Sequence, residues 1–436
     1  MYLNSRLVGR LRRESSGAVD FQYDGSWLAW ENAIPVSLSL PLREDRFVGD
    51  RVTNVFDNLL PDNKETRDRL AERAQADGTD AFSLLTSIGR DCVGALQFLP
   101  DGVDPGRAGA VSGEKVTDAD IARIIADLMG SPLGIDKVAD FRISIAGAHD
   151  KTALLYWRKR WMIPRAATAT THILKPPIGI LDNGIDLSES VENEHLCLRL
   201  VAAFGIPTAH TEIRNFDDRR VLVVERFDRR RTKDQRLLRV PQEDCCQALS
   251  VPPTRKYESD GGPGMARILE LLQGSDDPEA DRKTFLKTQV VFWLLAATDG
   301  HAKNFSLRLA PAGRFRLTPV YDVLSAQPAL DAGQIRQNRA KLAMAAGSNR
   351  HYRLNTVLPR HYAQTAEASG VSSATVAEVF QELAEAGDGA IEAAVAELPE
   401  RFPEKLVESV TRGVRNRLRV LRAAIPDVGV GRISAA

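Results

Sequence analysis

Asp299 and Asn304 stand with four residues between them in TDGHAKNFS, directly behind the apolar run VVFWLLAA. This spacing suits phosphoryl transfer by a protein kinase, where a loop Asp accepts the proton of the acceptor hydroxyl and a later Asn holds a metal ion. The two groups must share a loop because hydroxyl, γ-phosphate and metal meet at one point. A further carboxylate, Asp322 in RLTPVYDVLSA, follows another short apolar strand. An Asn and an Asp are hard oxygen donors of the kind Mg²⁺ takes. Read blandly, Asp299-Gly300 is a helix C-terminal turn and Asp322 a loop cap. The order strand, loop, strand, carboxylate favours chemistry.

A kinase needs three parts upstream: a loop over the phosphates, a strand Lys, and a helix carboxylate to hold that Lys. SIAGAHDKTALL supplies a small-residue turn, Ala146-Gly147-Ala148, between two strand-like runs. Small side chains let backbone N–H groups approach phosphate closely. The segment is neither a Walker A sequence nor a three-glycine kinase loop. Lys175 ends the apolar strand of THILKPP, and Glu192 and Glu194 on the next helix are its candidate partners. VLVVERFDRR reads as a strand leaving into a hinge, with Glu225, Phe227 and Asp228 as candidates for adenine and ribose contacts. A strand exit with a solvated charge run is the alternative there.

The elements that must position these groups follow from periodicity. DFQYD and SLSLPL alternate apolar and polar residues as half-buried strands do. VTNVFDNLLPDNKETRDRLAERA has helical spacing broken at Pro61. Residues 101 to 115, DGVDPGRAGAVSGEK, form the best linker candidate. TDADIARIIADLMG starts a helix with Thr117 as cap and Asp120 at capping-box spacing. From about residue 140 the chain is strand-rich, with FRISI, KTALLYW, THILKPP, TEIRNF and VLVVE as strands and ESVENEHLCLRLVAAFG as a helix. After residue 262 it is mostly helical. The expected organisation is a domain over 1–105, a β-rich region over 106–228 and a helical region over 229–436.

Composition narrows the function. Lys plus Arg equals Asp plus Glu, 58 each, so no global charge announces nucleic acid or an anionic membrane. Four Cys in 436 residues fit neither a disulfide framework nor a zinc site. MYLNSRLVGRLRRESS has no apolar core for a secretion signal, and VVFWLLAA is too short to span a bilayer. The expectation is a soluble cytoplasmic protein with no membrane partner.

The stretches DFRISIAGAHDKTALL, THILKPPIG, VENEHLCLRL, VERFDRR, RVPQEDCCQAL, KYESDGGPG, TDGHAKNFS and LTPVYDVLSA resemble the HipA-type toxin kinases of bacterial toxin–antitoxin modules. So do PVSLSLPLREDRF, VFDNLLPD and LLTSIGRDCVGALQFLP near the start. The resemblance implies an α+β fold, two-lobed and similar to protein kinases, with an extra N-terminal α+β domain. It implies a serine/threonine kinase using ATP and Mg²⁺. Asp299 would be the catalytic Asp, with Asn304 and Asp322 as metal ligands and Lys175 on the ATP phosphates. Ala146, Gly147, Ala148, His149, Asp150 and Lys151 would form the phosphate loop. Glu225, Arg226 and Phe227 would flank adenine, with Asp228 near the ribose and His301 and Tyr321 completing the nucleotide site. Ser144 matches the family's autophosphorylation position; a phosphate there would repel ATP and eject the loop. The implied partners are an aminoacyl-tRNA synthetase substrate, typically the glutamate enzyme, and a HipB-like helix-turn-helix antitoxin dimer. GAHDK stands where relatives often have GAQEK. TAEASG at 365–370 lacks the basic residues with which some relatives touch DNA, so operator DNA is expected only through the antitoxin. The basic insert DRRRTKDQRLLR is expected to solvate a loop. The competing readings are a kinase-like scaffold serving mainly as corepressor, and a small-molecule kinase of related fold.

Overall fold

Alternating side chains in the middle of the chain build a six-stranded sheet whose two faces are both covered. The computed structural model describes residues 1–129 and 150–428. The chain divides into two compact units, each assembled from three separate stretches. The first holds Met1–Pro176, Arg214–Thr254 and Ser306–Phe315; the second holds Pro177–Ile213, Arg255–Phe305 and Arg316–Ala436. The expected limits at 105 and 228 both fall inside the first unit.

In the first unit the sheet order is Thr211–Phe216, Arg219–Glu225, His172–Lys175, Thr152–Trp157, Arg160–Pro164 and Gly113–Lys115. Side chains of period two separate its faces. Leu154 points with Leu174, Val221, Val223 and Phe216 onto Ile121 and Ile125 of the Asp118–Met129 helix. Leu155 and Trp157 point the other way, onto Ala169 and Leu237. That helix begins as expected: Asp120 accepts from the Thr117 backbone at 2.8 Å, and the Thr117 hydroxyl caps Asp120 N at 3.2 Å. The linker is shorter than expected, because Gly113–Lys115 pairs antiparallel with Arg160–Pro164.

The first hundred residues gather a core of Phe21, Trp27, Phe47, Phe56 and Leu84. DFQYD lies in the Val19–Tyr23 strand, and helices Asp50–Asp57 and Lys64–Ala74 flank the break at Pro61. SLSLPL is not a strand. Ser37 and Leu40 form an isolated bridge around a turn. Side-chain bonds hold that turn: the Ser37 and Ser39 hydroxyls donate to the Gln247 carbonyl at 3.2 and 2.8 Å, and Glu243 Oε1 accepts from Leu38 N at 2.8 Å. Glu243 is wholly buried, its Oε2 accepts no hydrogen bond among the described residues, and burial pushes its carboxyl up to about 8.

The second unit is built on the Pro278–Leu295 helix, buried on nearly every side from Phe285 onward. Asp277 caps its start, with Pro278 at the first position where a missing N–H is harmless. Helices Ser190–Ala203, Pro359–Ala368, Ser373–Ala396 and Glu404–Val428 pack around it. A hairpin, Lys341–Ala346 with His351–Arg353, interrupts this helical part and was not expected. No helix among the described residues is long and apolar enough to cross a membrane.

Candidate functional site

The polar cluster after VVFWLLAA is created by an abrupt helix stop. Ala296 takes a left-handed conformation (φ 54°, ψ 38°), and its N–H turns back to the Phe292 and Trp293 carbonyls. The chain then leaves the helix axis, and Asp299 emerges exposed at the turn. Gly300 is required by packing: a Cβ there would lie 2.4 Å from the Phe292 ring, closer than carbon atoms approach. His301 is buried and opens a single 3-10 turn, Ala302–Asn304.

A second loop is stitched to this one. Tyr321 donates its hydroxyl to the Lys303 carbonyl at 2.8 Å. Ser325 Oγ donates to the Leu295 carbonyl at 2.5 Å, and Ala326 N to the Ala296 carbonyl at 2.9 Å. Asn193 clasps Ser325 in both directions, donating to its carbonyl and accepting from its N–H, each at 2.8 Å. Between these anchors Asp322 adopts φ 60°, a left-handed backbone that costs an L-residue about 1–2 kcal/mol. Asp322 Oδ2 then lies 3.5 Å from Asn304 Nδ2.

This arrangement fits a hard cation. Asn304 is 3% exposed, and its Oδ1 accepts no hydrogen bond among the described residues. A buried acceptor left so costs roughly 1–3 kcal/mol, which a cation at that oxygen would recover. The Asp322 carboxylate beside it adds a second oxygen donor.

Tyr257 was not singled out from sequence, although its segment KYESDGGPG was. Its hydroxyl donates to Asp299 Oδ1 at 2.5 Å, and its ring stands edge-on to His301 with centroids 5.0 Å apart. An isolated Tyr in a turn carries no signal of what it faces, and only the fold supplies it.

In the first unit, Lys175 is half-buried at the end of its strand, opposite Leu222. Glu225 is exposed and Phe227 half-buried at the strand exit, and Lys151 is half-buried at the root of Thr152–Trp157. Asp150 forms an ion pair with Arg69 at 2.7 Å. Ser144, Ala146, Gly147, Ala148 and His149 lie outside the described residues. Glu192 and Glu194 are buried on the Ser190–Ala203 helix of the second unit.

The side chains of two candidate nucleotide-site residues, Arg226 and Asp228, have partners within the first unit. Asp228 Oδ1 accepts from Arg226 Nε at 3.0 Å, and Oδ2 accepts from Gly94 N at 2.7 Å and pairs with Arg229 at 3.0 Å. Arg226 also donates to the Thr170 hydroxyl at 2.9 Å and the Cys92 carbonyl at 2.8 Å. Both side chains are buried in an ion cluster with Asp91, Arg229 and Arg239. Arg229 and Arg239 belong to the insert expected to be solvated; they are instead its buried roots, on the paired strands Arg229–Arg231 and Leu237–Arg239. Burial alone would raise the Asp91 carboxyl, but the guanidiniums of Arg229, Arg239 and Arg226 outweigh it and hold it far below the carboxylate range.

Comparison with known proteins places the chain among relatives. Family models describing a HipA N-terminal domain and a HipA-like C-terminal domain match residues 1–99 and 143–391. A Sinorhizobium fredii protein named "Putative kinase Y4mE" is 36% identical over 329 residues, 74% of this chain and 76% of that one. The serine/threonine-protein kinase toxin HipA of Shewanella oneidensis is 29% identical over 340 residues, 74% of each chain. HipA in the solved complex of Shewanella oneidensis HipA, HipB and operator DNA superposes with a TM-score of 0.81 and 24% identity, over 98% of both chains, a likeness of fold.

Proposed function

The chain belongs to the HipA family, and from that premise we propose that it is an ATP-dependent serine/threonine protein kinase, the toxin of a toxin–antitoxin pair. The observation that carries the reading is the buried, unsatisfied Asn304 Oδ1 beside the Asp322 carboxylate, on loops stitched to the one that presents Asp299. Asp299 takes the proton of the acceptor serine hydroxyl as that oxygen bonds to the γ-phosphorus. The bond from phosphorus to the bridging oxygen breaks and ADP leaves. Asn304 and Asp322 would hold Mg²⁺, which would supply neutralisation of the phosphoryl charge. Lys175 and the Ala146–Lys151 segment take the phosphates, and Glu225 and Phe227 flank adenine. His301 and Tyr321 shape the loops around them.

The acceptor in this reading is a serine of an aminoacyl-tRNA synthetase, with the glutamate enzyme the first to test. Phosphorylation of Ser144 by the chain itself switches it off in the cytoplasm. The Shewanella complex contains HipB and operator DNA, which supports a HipB-like antitoxin dimer here, with DNA reached through it. The test is intact-mass and peptide analysis of wild type and Asp299→Gln after incubation with Mg-ATP. The expected result is one phosphate on Ser144 in the wild type and none in the variant. No phosphate in either, with ATP still bound by calorimetry, favours the corepressor scaffold.

A further inference from the structure

Resting on that kinase reading, we propose that Tyr257 is a positioning residue for the phosphoryl-transfer step, through the hydrogen bond from its hydroxyl to Asp299 Oδ1. Asp299 is exposed at a turn, and an Asp there has several rotamers to choose from. A base that must meet a hydroxyl within about 3 Å cannot sample them all without loss of rate. The 2.5 Å bond from Tyr257 selects one.

The hydroxyl can do this because its own segment is braced. The Tyr257 carbonyl accepts from Asp260 N at 3.1 Å and from Gly262 N at 2.9 Å, closing a tight turn. Gly262 admits no larger residue, since a Cβ would lie 2.0 Å from the Arg255 carbonyl, and at Gly264 a Cβ would lie 2.3 Å from the Glu258 carboxyl and displace it. Glu258 Oε2 accepts from Ala345 N at 2.6 Å, tying the turn to the Lys341–Ala346 strand. The turn is tied directly to the catalytic loop as well, since Ala302 N donates to the Lys256 carbonyl at 3.3 Å. The His301 ring, edge-on to Tyr257, limits the phenol's swing. Thus KYESDGGPG, which has no group for the chemistry itself, serves as the mount for one hydroxyl.

Tyr257→Phe tests this because it removes the hydroxyl and keeps the ring against His301. The measurements are the rate of phosphate incorporation at saturating Mg-ATP, the KM for ATP, and the thermal midpoint, each beside wild type. The expected result is a rate about 10–100-fold lower, with KM for ATP and midpoint unchanged. Tyr257→Ala gives a second reading if Phe repacks, and should be at least as slow. A Tyr257→Phe rate equal to wild type overturns the proposal. A rate above wild type also overturns it, and makes the hydroxyl a competitor of the acceptor. Rate, KM and midpoint falling together overturn it in favour of a structural role. A wild type that phosphorylates neither itself nor any protein overturns the kinase reading beneath it, and differs from these in that the parent is already inactive.

Discussion

Asp91 and Asp228 in the first unit, and Asp299 and Asp322 in the second, are the same side chain put to opposite uses. The first pair is 3–4% exposed and meets three guanidiniums, a hydroxyl and two backbone N–H groups. Every carboxylate oxygen there is bonded by protein, so the group is inert toward ligands. The second pair lies on loops open enough to be met from outside, beside an amide oxygen with no partner of its own among the described residues. Saturation marks a strut, and a local deficit marks a site.

The sharpest test of that contrast is Asp299→Asn. Phosphate incorporation should fall 10²–10⁴-fold, about 3–5 kcal/mol in barrier, with no change in thermal midpoint. Asp91→Asn should do the reverse. Removing this carboxylate from the buried cluster leaves Asp228 as the one carboxylate facing Arg226 and Arg229 and strips Arg239 of its carboxylate partner, costing ~3–5 kcal/mol in urea unfolding. An Asp91 variant that folds normally would break the comparison. Gly300→Ala should cost roughly 1–3 kcal/mol through the clash with Phe292, and should slow transfer by displacing Asp299.

A smaller effect separates two carboxyls by the sign of their pH dependence. Asp91 is held low, so its contribution is present above its usual range near 4 and is lost as pH falls below it. Glu243 is held high, protonated in the folded state, so its effect runs the other way: stability falls as pH rises from 4.5 to about 8. Glu243→Gln should remove that decline and raise the thermal midpoint at pH 8 by a few degrees, at about 2–4 °C per kcal/mol. An unchanged pH profile would show that the buried carboxyl is already compensated.

Periodicity exposed most strands and helices of this fold, because half-buried strands and one-sided helices write their burial into the chain. The strands His172–Lys175 and Arg219–Glu225 and the Pro278–Leu295 helix were legible in this way. SLSLPL has the strand pattern but turns, since its serines bond Gln247 more than 200 residues away. The side-chain partners of Arg226 and Asp228 were hidden for a related reason. Charged residues leaving a strand normally meet water, and nothing local signals that Asp91 waits to bury them. Within the site, Asp299, Asn304 and Asp322 were readable from spacing, whereas Tyr257, Asn193 and Ser325 act across long separations and emerge only from the fold.

The interleaved composition of the two units also sets a schedule for synthesis. The first unit is completed only by Ser306–Phe315, whose Ser306–Leu309 strand pairs with Gln242–Asp244, and the second needs residues on both sides of that segment. A nascent chain that stops before Ser306 therefore owns neither unit whole, however long its ribosome dwells. Domains that close early in translation can act before the chain is finished; this one withholds its loops until the last third has emerged. For a chain proposed to arrest growth, a round of synthesis aborted before Ser306 releases a fragment with neither unit whole, and the interval before release is time in which an antitoxin can already be waiting.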